Sequence, residues 1–366
     1  MPVYVSKDSV DIREKIGQIK SDAGMAGNAV IRAETPQEQQ RLIGHGRRNL
    51  IVNGDMSVWQ RGTSFTGADA DQGYTADRYA VSFFDDVSTR SVTRSTTAPR
   101  GFAYSMELNS GLEQLYPSTT VELPASGNPG VFGMGKEFTF SMYSDSTNAP
   151  DAFFLFRNGC HVGTNQVVAS ELGQRMHCIE EDSGNGFKRY SYTFTIKDVP
   201  HADNICLTVA PRLYETSGTF RIAGYQLEEG STATSFEHKL AGEEMALCRR
   251  YYMRINSIGG ASRVAISGNY SGTTQYSTLV FSTPMRVSPA IGYNSLQYIY
   301  FEPFNGGQQS VLSLASNTHT KDANGDITAT TVLTTVTNGT SQGGNVLLRG
   351  SAGVDYIDFD SEIPSQ

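Results

Sequence analysis

Tryptophan, cysteine, charge and long apolar runs are all scarce in this chain. A single tryptophan, Trp59, stands among 366 residues, with four cysteines and only 18 % charged residues. No run reaches the roughly 18 consecutive apolar residues of a membrane-spanning helix, so no membrane insertion is expected. Cys160, Cys178, Cys206 and Cys248 form no C-x-x-C pair, which argues against a zinc knuckle. The opening residues MPVYVSKDSVDIREK show neither the apolar core nor the cleavage site of a secretory leader. Buried free thiols, in a protein made and folded in a reducing cytoplasm, are therefore expected. The formal net charge is −8 and the arginines are scattered. Nucleic-acid affinity rests on clustered cations, so no nucleic-acid partner is expected.

What the chain does have is turn formers and bulky rings: 37 glycines, 18 tyrosines and 18 phenylalanines. Such a composition favours short strands joined by polar loops, and its rings supply enough surface to bury a core. At 39.8 kDa the chain fits two domains. Helix signals concentrate in a short arm over residues 1–46. Ile12, Ile16 and Ile19 share one helix face, with Asp8 placed to cap it. In TPQEQQRLIG, Thr35 is the N-cap, Pro36 the first helical residue, Glu38 the partner of the capping box and Gly44 the stop. The resulting helix over 36–43 carries Leu42 and Ile43. Two such helices are too short to stand alone. They either pack on their own domain or serve as an attachment or oligomerisation arm, and the flexible joint SDAGMAGN favours the second reading.

Beyond the arm the period changes from 3.6 to 2. EFTFSMYS (137–144), FKRYSYTFTI (187–196), NICLTVAPRLY (204–214) and TFRIAGYQLE (219–228) alternate apolar and polar residues as half-buried strands do. With so few helix signals, sheet must pack on sheet. The expectation is a mainly β protein: a jelly-roll β-sandwich over 47–238, a connector with one short helix over 239–254, and a second, smaller β-sandwich over 255–366. DANGD (322–326) reads as a hairpin turn, since it lacks the spacing and terminal glutamate of a calcium loop.

No catalytic set is legible. There is no G-x-S-x-G elbow for a serine nucleophile. Asp69, Asp71, Asp77, Glu180, Glu181 and Asp182 lie in adjacent clusters that read as polar loops, not as two carboxylates facing across a cleft. His161, His177 and His201 read as ordinary surface or core histidines. The expectation is a protein that is not an enzyme.

One stretch stands out, NLIVNGDMSVWQRGTSF (49–65). Leu50, Ile51 and Val52 read as a short strand and Asn53–Gly54–Asp55 as a turn. The Trp59 indole can fill the end of a core, donating its N–H to a carbonyl, or stack on a sugar ring; the core reading is favoured. Asp77 and Arg78 read as an ion pair that fixes a loop to the sheet, where the planar guanidinium can satisfy several acceptors.

That stretch, together with GYTADRYAV (73–81), IAGYQLEEGSTATSFEHK (222–239), CRRYYMR (248–254) and STPMRVSPAI (282–291), resembles blocks found in tail-fibre and related virion proteins of tailed bacteriophages. The blocks span residues 47–291 with gaps between them. Tyr79 stands where related chains often have tryptophan. The resemblance implies a jelly roll similar to carbohydrate-binding modules, a homo-oligomer, trimeric as phage fibres commonly are, and a place in the virion tail after assembly in the bacterial cytoplasm. It implies attachment to other virion proteins through the arm (Ile12, Ile16, Ile19, Leu42, Ile43). Contact with host surface polysaccharide would use Trp59, Tyr74, Tyr79, Tyr116, Tyr293 and Tyr298. The alternative is a non-adhesive adaptor or head-decoration protein that binds only virion proteins. No cofactor is expected beyond a structural calcium of the kind such modules hold, for which Asp55, Glu228 and Glu229 are the candidates.

Overall fold

The computed structural model describes residues 48–70, 73–83, 90–110, 115–123, 130–157, 166–167, 174–197, 206–213, 218–257, 260–271, 273–303, 309–323, 325–336, 344–350 and 355–362. The expected arm, with Ile12, Ile16, Ile19, Leu42 and Ile43, lies outside the described residues, as do Asp71, Cys160, His161 and His201.

Alternating side chains in the first half build two antiparallel sheets packed face to face. The larger sheet runs β1 (Ser64–Thr66), β3 (Ser91–Ser95), β4 (Ser105–Ser110), β14 (Gly218–Glu229), β6 (Glu137–Ser144), β12 (Lys188–Thr195) and β11 (His177–Glu180). The smaller runs β2 (Tyr79–Phe83), β5 (Leu115–Glu122), β13 (Cys206–Val209), β8 (Phe154–Arg157) and β9 (Gln166–Val167), with a two-stranded ribbon of β7 (Asp151–Ala152) and β10 (Gln174–Arg175) beside them. Inward-facing Phe138, Phe140 and Met142 of β6 meet Phe154 and Phe156 of β8 in one continuous core. Rings dominate it. Phe154 stacks on Phe194 at 3.8 Å, and Tyr225 sits edge-on to both Phe140 and Tyr79 at 5.2 and 5.4 Å.

The strand β14 is buried on both faces, although its sequence alternates. The segment Ser231–His238 covers its outer side. Glu228 accepts from the Thr234 amide at 2.9 Å and its hydroxyl at 2.6 Å, and the Gln226 side-chain carbonyl accepts from the Glu237 amide at 2.8 Å. Polar residues at outward positions are thus buried with partners, as burial of polar groups requires.

The helix Ala241–Arg249 falls within the expected connector. Past it, the structure departs from the expected second sandwich. Strands β16 (Gly260–Ser271), β17 (Thr274–Met285), β21 (Ile327–Val336), β20 (Gln309–Lys321), β19 (Ile299–Pro303) and β22 (Gly344–Gly350) pair in that order, and β22 pairs back to β16, closing a six-stranded barrel. Long strands with bulges, as between Ser267 and Asn269 and between Val280 and Met285, bend enough to close and leave no open edge. A three-stranded sheet of β15 (Tyr252–Asn256), β23 (Tyr356–Asp360) and β18 (Ala290–Tyr293) lies beside the barrel. Its Ile357 and Phe359 join the barrel core with Phe281 and Phe301. The turn at 322–326 is a hairpin turn between β20 and β21, in which the Gly325 amide donates to the Asp322 carbonyl at 3.1 Å.

Candidate functional site

Residues from four of the blocks that stand out in the sequence, 49–65, 73–81, 248–254 and 282–291, meet where the sandwich contacts the three-stranded sheet and the segment that follows it. Leu50, Ile51 and Val52 do not form the expected strand, whereas Asn53–Gly54–Asp55 forms the expected turn. Buried Asn49 donates to the Tyr225 carbonyl at 2.9 Å and accepts from the Ile51 and Leu227 amides. Gly54 fits because a Cβ there would sit 2.4 Å from the Tyr225 carbonyl oxygen. Asn53, in the left-handed region at φ 58°, donates to the Val58 and Asp77 carbonyls. Trp59 is buried and donates to the Met56 carbonyl at 2.7 Å, as the core reading expects.

From this turn Gln60 and Arg61 reach across to the barrel unit. Gln60 donates its amide N–H to Asp77 at 2.9 Å and its side-chain N–H to the Tyr252 carbonyl at 2.8 Å. Arg61 lies 3.5 Å above the Tyr252 ring and 5.2 Å from that of Tyr74. It pairs with Asp360 at 3.0 Å and Glu362 at 3.5 Å. Arg78, fully buried, stacks 3.5 Å over Tyr251, donates to the Thr120 carbonyl at 2.9 Å and hydroxyl at 2.7 Å, and pairs with Glu362. Arg254 continues the series. It lies 3.7 Å over Tyr356, pairs with Asp358 at 3.0 Å and donates to the Arg61 carbonyl at 2.7 Å.

The result is a ladder of alternating rings and guanidiniums, Tyr356–Arg254–Tyr252–Arg61–Tyr74, with Arg78 on Tyr251 beside it. Three acids along one edge of β23 and its extension, Asp358, Asp360 and Glu362, neutralise it. A strand places every second side chain on one face, which is why these acids line up opposite Ile357 and Phe359. Gly292 on the neighbouring strand leaves room for Asp358, whose carboxylate oxygen would lie 2.2 Å from a Cβ there.

The geometry corrects one expected ion pair. Asp77 and Arg78 are both buried, but Asp77 accepts from Gln60 while Arg78 pairs with Glu362. Burial pushes the Asp77 carboxyl up to about 6, against the opposing pull of Arg61 and the Gln60 hydrogen bonds. Burial likewise raises Glu244, which accepts from the Asn53 amide and lies 3.6 Å from Lys239.

Of the six candidate sugar-contacting rings, Trp59 and Tyr79 belong to the core and Tyr74 to the ladder. Tyr293 is exposed at the end of β18, and Tyr298 is half-buried in a short 3-10 turn. Tyr116 is half-buried on the outer face of the smaller sheet, edge-on to Phe153 at 5.6 Å. Arg212 lies 5.1 Å over Phe153 and pairs with Asp151 at 2.7 Å, and Arg175 also pairs with Asp151 at 2.9 Å. The Phe153–Arg212 side of this patch was not legible in the sequence, because the two residues lie 59 positions apart and only the fold brings them together.

The calcium candidates are not gathered. Glu228 is held by Thr234, Glu229 pairs with Lys136 at 2.8 Å, and Asp55 accepts from the Ser57 amide. Among the described residues no three His, Cys, Asp or Glu side chains group to hold a metal. Cys206 and Cys248 are buried as expected, whereas Cys178 is exposed. No described helix is long and apolar enough to cross a membrane.

No family model matches the chain. No curated protein matches it. Among solved structures, the enzymatically active domain of tailspike protein 4 from bacteriophage CBA120 aligns at 13 % identity and TM-score 0.30, over 50 % of this chain and 21 % of that one. A putative sugar-binding protein from Bacteroides thetaiotaomicron aligns at 9 % identity and TM-score 0.30, over 50 % of this chain and all of that one (100 %). The xylan-binding CBM22-1 domain of Paenibacillus barcinonensis Xyn10C aligns at 9 % identity and TM-score 0.28, over 51 % of this chain and 99 % of that one. Scores of this size do not assign a shared fold.

Proposed function

We propose that this chain is a non-enzymatic structural protein of a phage virion, a tail-fibre or receptor-binding subunit that attaches to host surface glycans through the outer face of its smaller sheet. The observation that carries the binding site is the patch of Tyr116, Phe153 and Arg212. Rings offer flat apolar faces to the C–H side of a sugar, and Arg212, Arg175 and Asp151 supply hydrogen bonds at their edge. The resemblance of the sequence blocks to those of phage tail-fibre and related virion proteins supports the virion setting, and in this fold several of them join two β units. An arm over 1–46 would supply attachment to other virion proteins, and trimerisation would add avidity at a polysaccharide surface.

The purified protein, applied to an array of bacterial capsular and O-antigen polysaccharides, is expected to bind a subset without releasing oligosaccharides. Tyr116→Ala and Phe153→Ala should each weaken that binding by about tenfold. Binding that survives both substitutions removes the patch from the proposal, release of oligosaccharides removes its non-enzymatic part, and absence of binding to any glycan removes adhesion.

A second reading has its own support. Three of the six candidate rings, Trp59, Tyr74 and Tyr79, serve internal cohesion. A chain whose distinctive residues are committed in this way also suits a non-adhesive adaptor that binds only virion proteins. Absence of glycan binding together with retained incorporation into particles would favour it.

A further inference from the structure

The apolar cores of sandwich and barrel are two separate clusters. What joins the units is charged and aromatic instead. Units joined by small polar contacts move relative to one another by default, so rigidity here has to come from particular groups. The contacts sort into two sets. The first clamps the connector to the sandwich. Glu244 of the helix binds the Asn53 amide, Lys239 donates to the Ile51 carbonyl, and Glu122 receives a two-pronged Arg250 at 3.1 Å with the Tyr251 hydroxyl at 2.9 Å. None of these needs the three-stranded sheet to be formed.

The second set does need it. Glu362 reaches Arg61 and Arg78 only when β23 lies between β15 and β18. Its own placement is fixed from the barrel side. The Glu362 amide donates to Asp360 at 2.9 Å, Arg286 donates to the Ser361 and Glu362 carbonyls, and Ser361 bonds the Arg250 and Tyr251 carbonyls. Arg250 adds one bond to Asp326 in the 322–326 turn. Among the described residues, Glu362 alone is paired with both sandwich arginines, and its side chain is almost fully buried (4 % exposed).

We infer that Glu362 is a latch: its carboxylate holds the barrel rigidly against the sandwich, and without it the barrel swings about the connector end near Arg250–Tyr252 while the helix clamp stays closed. The latch couples the two units for transmitting force or orientation, whichever ligand or neighbour the protein meets. A buried carboxylate between two buried guanidiniums suits this role, because removing one partner leaves the others uncompensated. Gln60 on the Tyr252 carbonyl, Arg254 on the Arg61 carbonyl and Arg61 on Asp360 bridge the same junction, and Glu362 is the charge that ties both sandwich arginines to it.

The test uses the full chain with spin labels at exposed Cys178 on the sandwich and at Val280→Cys on the barrel, both surface positions, in a Cys160→Ser background. With Glu362 intact, the distance distribution between labels is expected to be a single narrow peak. Glu362→Gln, close to isosteric but uncharged, is expected to lose that peak and give a broad distribution. In the same sample, amides of 241–249 should remain protected from hydrogen exchange. Should Glu362→Gln yield no folded protein, Glu362→Asp decides, because it keeps the charge but is one methylene too short to reach both Arg61 and Arg78: a broadened distribution supports the latch. An unchanged narrow peak in Glu362→Gln, or in Glu362→Asp where that variant decides, overturns it, as does loss of protection over 241–249 together with the peak.

Discussion

Replacing Arg78 tests the physical account at its most buried charge. Arg78→Met keeps much of the volume and the stacking on Tyr251 but removes the cation. Glu362 then keeps only Arg61, at 3.5 Å, and the Thr120 carbonyl and hydroxyl lose their donor. Removing one partner of a buried, hydrogen-bonded ion pair costs about 3–5 kcal/mol, because the remaining charge stays desolvated. Arg78→Lys separates charge from shape. The ammonium can approach Glu362 but cannot also span Thr120 in the plane of a guanidinium, so about 2 kcal/mol is expected to be lost. Urea unfolding followed by tyrosine fluorescence and circular dichroism measures both, with the midpoint and slope fitted together. Combining Arg78→Met with Glu362→Gln should cost less than the sum of the singles by about 2 kcal/mol, as expected for residues in direct contact. If Arg78→Met unfolds within about 0.5 kcal/mol of the unsubstituted protein, the range of ordinary surface changes, the guanidinium does not carry the junction. If lysine restores full stability, its planar fork is irrelevant.

Gly54→Ala should cost about 1–3 kcal/mol by overpacking against the Tyr225 carbonyl, read as a shift of the urea midpoint. Trp59→Phe should cost about 1 kcal/mol for the lost bond to the Met56 carbonyl and leave any glycan binding unchanged. Asp77 has its carboxyl raised by burial to about 6, so its folded form holds a proton that the unfolded chain releases near pH 4. Its contribution is therefore greatest at low pH and is lost as pH rises through about 6. Asp77→Asn should gain on the unsubstituted protein by up to about 3 kcal/mol between pH 4 and pH 7, measured as the difference of two unfolding series.

Strands with a buried face were the most legible feature. EFTFSMYS and TFRIAGYQLE became β6 and β14, because a period of two against a water-excluded core leaves little freedom of register. Closure of the second unit was not legible, since alternation is the same in an open sandwich and a closed barrel; bulges decide, and they leave little trace in composition. Trp59 answered to local chemistry alone, its indole N–H needing a carbonyl within a short turn. The partner of Arg78 did not, because Glu362 lies 284 residues away. A signal was nonetheless present. Acids at 358, 360 and 362 alternate with Ile357 and Phe359, a pattern that puts three carboxylates on one strand face and asks for cations opposite. Arg61, Arg78 and Arg254 stand within the blocks that had already drawn notice, Arg78 and Arg254 each close in sequence to a tyrosine. Tyr116 was legible as a candidate, but its neighbours Phe153 and Arg212 come from distant segments, and only folding assembles them.

Hydrogen exchange read by mass spectrometry on the intact protein, with and without a polysaccharide it binds, tests most directly whether its distinctive blocks build the body and a separate surface meets the ligand. Peptides carrying Tyr116, Phe153 and Arg212 should gain protection on binding, while those covering 59–62, 74–79 and 251–254 exchange slowly and equally in both states. Protection that rises at Trp59, Arg61 and Tyr74 and leaves Tyr116 unchanged would place recognition at the junction and contradict the account.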